Sequence, residues 1–139
     1  MAWGLDGTAL VVGAALLAVH FIRYRQDVLA TGFLVFTCGQ ALVVSGSAMS
    51  LEASVPSFAA GAALWAAGLV LIGTPGIMPM PARALGFVAA FLLAATAVQM
   101  FAGRSLTPLS EPLPFFAYPF LVFTMFGWAW WCIRAPHRT

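Results

Sequence analysis

Five long apolar stretches, parted by short segments rich in proline, glycine and charge, dominate this sequence. They run from about Gly7 to Ile22, Val28 to Ser50, Pro56 to Thr74, Ala82 to Ala102 and Pro114 to Ile133. A helix rises about 1.5 Å per residue, so about 20 apolar residues cross the hydrocarbon core of a bilayer. Each stretch is near that length. A backbone in hydrocarbon must satisfy its own hydrogen bonds, and a helix does so within one segment. The pattern therefore predicts an all-α integral membrane protein: one domain, residues 1–139, built as a bundle of five transmembrane helices.

Composition points the same way. The chain is 63% hydrophobic and 7% charged, whereas a soluble domain needs about a quarter charged residues to cover its surface. Lys and Asn, both encoded by AT-rich codons, are absent. That absence suggests a GC-rich bacterial genome, and with it a multi-pass protein of the bacterial inner membrane. Six scattered arginines form no basic stripe, so nucleic acid is not an expected partner. The chain opens Met-Ala-Trp-Gly-Leu-Asp, with no positive n-region, so the first apolar run is expected to stay as a helix.

The breaks have local causes. Arg23–Asp27 is a polar turn. Leu51–Pro56 holds an acid and a proline, with Ser54 placed to cap the third helix. Segments 74–81 and 103–114 are rich in proline, which cannot continue a helix. With five spans, Arg23, Arg25, Arg83, Arg134 and Arg138 share one side and Arg104 lies on the other. The positive-inside rule then places the N-terminus outside and the C-terminus in the cytoplasm. Trp128, Trp130 and Trp131 fall near the inner interface and Trp3 near the outer one, as in aromatic belts.

Polar side chains within the spans need partners or a wet cavity. Counting along each helix puts Gln40 near the bilayer centre and Ser45, Gln99 and Tyr118 in the outer half. Glu52, Arg104 and Glu111 roof that level from the outer loops, where they could gate it or form an ion pair. Trp65, at mid-depth in a helix of small residues, either fills space or walls a pocket. Pro119 is expected to loosen the fifth helix and free a carbonyl. The functional reading is a pocket for a small, largely apolar molecule. The plainer one is interhelical hydrogen bonding.

His20, one turn before Arg23, could relay protons or simply reach the inner headgroups. The only other histidine is His137, and no His/Cys/Asp/Glu cluster exists, so neither a metal nor another cofactor is expected. Cys38 and Cys132 fall at different depths, too far apart for a disulfide, and read as small buried hydrophobes. Rows such as Gly86, Ala90 and Ala94 suit close packing within the bundle or in a homo-oligomer.

Five helices, an outside N-terminus and many aromatics are similar in layout to the tryptophan-rich sensory (translocator) proteins. That family's Pro/Trp-rich first loop has no counterpart here, where the loop reads Arg23-Tyr-Arg-Gln-Asp27, and no residues carry over. No catalytic motif occurs. A non-enzymatic binding or transport protein is the leading expectation. An accessory or scaffold subunit of a larger membrane complex is the second. A membrane-embedded enzyme acting on a lipid or quinone is the third.

Overall fold

The computed structural model describes residues 2–104, 106–107 and 109–134, with side chains from Asp6 onward. The Trp3 side chain, His137 and Arg138 lie outside the described residues. Five helices follow in order: α1 (Ala2–Arg23), α2 (Asp27–Gly46), α3 (Val55–Gly73), α4 (Met80–Phe101) and α5 (Ala117–Arg134). Stretches in α1 to α4 are long and apolar enough to cross a membrane. The chain is thus an all-helical bundle of membrane character.

Two boundaries differ from the sequence reading for a local reason. Helix α2 stops at Gly46, because the Ser47 hydroxyl turns back onto the Val44 carbonyl at 2.6 Å and offers the backbone an alternative to another turn. Helix α5 starts only at Ala117. Pro112 and Pro114 have no N–H to give, and the segment folds into turns closed by Phe116 N–H to Pro112 O and Ala117 N–H to Pro114 O. This late start puts Pro119 in the first turn of α5, where its missing N–H is one the helix never uses. Pro119 therefore does not loosen the helix. Ser54 does sit at the N-cap of α3, but its hydroxyl bonds the Leu51 carbonyl at 2.7 Å.

Helices α1 and α4 both end in the turn known as a Schellman motif. After α4, Arg104 N–H reaches Gln99 O and Gly103 N–H reaches Met100 O, with Gly103 at φ 78°. After α1, Gln26 N–H reaches Phe21 O and Arg25 N–H reaches Ile22 O. There the left-handed position is held by Arg25, at φ 54°. Helix α3 ends differently: the Nε–H of Arg83 donates to the Gly73 carbonyl at 2.7 Å, a cation on the negative end of a helix.

Among the described residues, helix backbones come close only between consecutive helices. Glycine makes the closest approach possible. Gly39 of α2 faces Gly61 of α3, and Gly68 of α3 lies against Gly32 and Phe36 of α2. Gly127 of α5 leaves room for Ala82 of α4. Helix α3 is the most buried span and α1 the least. The two cysteines are free, and Cys38 is exposed on the outside of α2 rather than buried.

Candidate functional site

The interior is lined by a continuous run of aromatic rings. At the end that carries Arg23, Arg25, Arg83 and Arg134, Trp131 of α5 lies 6.3 Å from Phe21 of α1. Phe21 stacks on Phe33 of α2 at 5.5 Å, and Phe33 meets the edge of Trp128 at 5.1 Å. Trp128 contacts Phe36 at 5.8 Å, and Phe36 stacks on Trp65 of α3 at 6.0 Å. Trp65 then meets Phe58 and Tyr118, each at 6.4 Å. Offset and edge-to-face rings at these spacings pack favourably.

Toward the opposite end the polar atoms appear. Gln40 is 6% exposed and Trp65 3%. Neither the Oε1 of Gln40 nor the Nε1–H of Trp65 has a hydrogen-bond partner among the described residues. An amide or indole left unpaired in an apolar interior costs roughly 1–3 kcal/mol. They belong to neighbouring helices, α2 and α3. A Cβ built on Gly39 would stand 3.0 Å from Cδ1 of Trp65, the ring carbon bonded to Nε1. Gly39 is the residue before Gln40, and the Gln40 amide in turn reaches Gly7 of α1. Tyr118, half-buried at the start of α5, packs its ring on Trp65 and on Phe58 at 6.5 Å.

Of the residues singled out in the sequence, the structure brings Trp65 and Tyr118 together, with Gly39, the neighbour of Gln40, against the Trp65 edge. Gln99 is half-buried on α4, and Ser45 is exposed on α2. Glu52, Arg104 and Glu111 are exposed, with no ion pair between them among the described residues. His20 is exposed near the arginine-bearing end, its ring 4.7 Å from Tyr24 and 5.2 Å from Phe21. Among the described residues no group of His, Cys, Asp and Glu is placed to hold a metal ion. Phe36 and Phe58 complete the aromatic wall and were not legible as site residues, since nothing in their local sequence separates them from core phenylalanines.

No protein-family model, curated protein or solved structure matches this chain significantly.

Proposed function

We propose that this chain is a five-span protein of the bacterial inner membrane that binds or transports a small, largely apolar molecule in the outer half of its bundle. The observation that carries the reading is the presence of two buried, unpartnered polar atoms, one on Gln40 and one on Trp65, whose ring meets Tyr118. An interior that only needed filling would be better served by apolar side chains there.

The fifth span is α5. Its tryptophans, Tyr118 and Pro119 lower its hydropathy, yet every residue between Pro119 and Arg134 is uncharged. Arg134 lies 3.9 Å over the Trp130 ring, an arrangement suited to the headgroup boundary. Arg23, Arg25, Arg83 and Arg134 mark the cytoplasmic end by the positive-inside rule, with the N-terminus outside.

One observation favours a second reading, an accessory subunit. Helix α5 turns Phe123, Phe126, Trp130 and Ile133 outward. A shallow apolar groove of about 470 Å³ lies among Phe126, Gly127, Ala129, Trp130 and Ile133. The enzyme reading has less support, since His20 stands on the outer surface, away from the Gln40 region.

Native mass spectrometry of protein gently extracted from its own membrane separates these readings. The expected result is a bound small molecule that is lost in Gln40→Leu and weakened in Tyr118→Phe. A stoichiometric protein partner with no small ligand would replace the pocket with the accessory role.

A further inference from the structure

We infer that the outward groove on α5 holds an acyl chain of an anionic phospholipid, with the Arg134 guanidinium at the end of the groove taking the headgroup phosphate. The inference rests on α5 as the fifth span and on nothing in the Gln40 region.

The groove comes from side-chain size. Phe126, Ala129, Trp130 and Ile133 recur at spacings of three and four, so they share one face of α5. Phe126, Trp130 and Ile133 are large and exposed. Gly127 and Ala129 are short and leave a trough between them. From Phe126 to Ile133 this face runs about 10 Å along the helix axis. Gly127 also meets Ala82 of α4, so the trough runs beside the α4–α5 contact. Its lining is wholly apolar or aromatic, which suits a hydrocarbon chain.

Charge selects the headgroup. The Arg134 guanidinium stands 3.9 Å from the ring centre of Trp130, and that ring lines the groove. The groove's own wall therefore holds the cation at its end. Stacking on a ring uses the flat face of a guanidinium, while its N–H donors point outward in the plane. Among the described residues none accepts a hydrogen bond from Arg134 or pairs with it. A planar fork of donors matches two oxygens of a phosphate.

Arg23, Arg25 and Arg83 lie at the same end of the bundle, where Asp27 is the only acid among the described residues. Arg83 is committed to the Gly73 carbonyl. This excess of positive charge favours an anionic phospholipid over a zwitterionic one. A phospholipid also supplies both required parts in one molecule, an apolar chain joined to a phosphate at headgroup depth. A helix of a partner protein would have to bring a carboxylate to that boundary.

The test is contact quenching of Trp130 by lipids brominated close to the headgroup. The full chain is reconstituted in phosphatidylcholine vesicles that contain a rising fraction of brominated phosphatidylglycerol or, in parallel, brominated phosphatidylcholine. The Trp130 signal is the difference between the unmodified protein and Trp130→Phe. Half-maximal quenching is expected at about five-fold less brominated phosphatidylglycerol than brominated phosphatidylcholine, the advantage one arginine gives near an anionic surface. Arg134→Gln should abolish that preference and keep the quenching. Ala129→Leu, on the exposed face, fills the trough and should abolish the preference with Arg134 in place. Equal quenching by the two lipids overturns the inference and leaves the fifth span standing. A preference that survives Ala129→Leu also overturns it, since surface charge alone then holds the lipid. No quenching by either lipid overturns it in favour of a protein on that face, a second copy included, if a C-terminal green fluorescent protein still fluoresces in cells. If that fusion is dark, the fifth span falls as well.

Discussion

Gly39 of α2 and Gly61 of α3 face each other so closely that a methyl group on either would stand within 3 Å of the other's carbonyl oxygen. The distances are 2.8 Å from Gly39 and 2.9 Å from Gly61. Small residues draw membrane helices together because packing, not water exclusion, holds them there. Here they also press the Trp65 edge against the backbone beside Gln40. Alanine at Gly39 would collide with backbone, which cannot swing aside. Gly39→Ala is expected to destabilise the bundle by about 1–3 kcal/mol, read as a lower midpoint in thermal unfolding in detergent. Gly13→Ala, where nothing lies within 4 Å, should leave the midpoint unchanged or raise it slightly through helix propensity.

Arg25 occupies a left-handed position that Gly103 occupies in the same motif at the end of α4. A side chain there strains the backbone by about 1 kcal/mol. Arg25→Gly should therefore stabilise the folded chain by up to about 1 kcal/mol, measurable in the same unfolding assay. A loss of stability would show that the arginine side chain makes a compensating contact.

Arg83 caps α3 from the first turn of α4 through its bond to Gly73. Hydrogen bonds from charged donors contribute about 1.5–3 kcal/mol. Arg83→Gln is expected to cost about that much, with faster amide exchange across residues 70–76. Unchanged exchange there would mean that the cap contributes nothing to the turn.

Gln40 gives a signature that separates function from packing. Removing an unpaired buried amide should stabilise the unliganded protein, so Gln40→Leu is expected to raise stability by about 1–3 kcal/mol. Ligand retention should fall in the same variant. A Gln40 that served only to glue helices would show the reverse, with stability falling and no ligand effect.

The proposed topology is checked by labelling from outside intact cells in a Cys38→Ala, Cys132→Ala background. Cysteine placed at Ser50 should react with a membrane-impermeant maleimide, and cysteine placed at Gln26 should not. Both positions are exposed in the folded chain. Fluorescence from a C-terminal green fluorescent protein, which matures in the cytoplasm, tests the fifth span separately.

Helix number and approximate extent were legible because apolar runs of membrane length are set by the solvent. The end of α2 was not, because Ser47 decides it with a single hydroxyl. The start of α5 depends on how Pro112 and Pro114 shape the preceding turns, which a count of apolar residues does not register. Within the site, position along each helix could be counted from sequence but rotation could not. Gln40 and Ser45 are five residues apart on α2, and one is buried while the other is exposed. Trp65 and Tyr118 meet because α3 and α5 fold toward a common centre, a relation set by long-range packing. Phe58 and Phe36 belong to the site for the same reason.

Helices α1 and α5 share no close backbone approach, and the Phe21–Trp131 ring pair reaches between them. Every other neighbouring pair in the series is held backbone to backbone. The first and last helices therefore meet through a ring contact and not through backbone. Loss of either ring would loosen that seam while leaving the glycine-set contacts between consecutive helices in place.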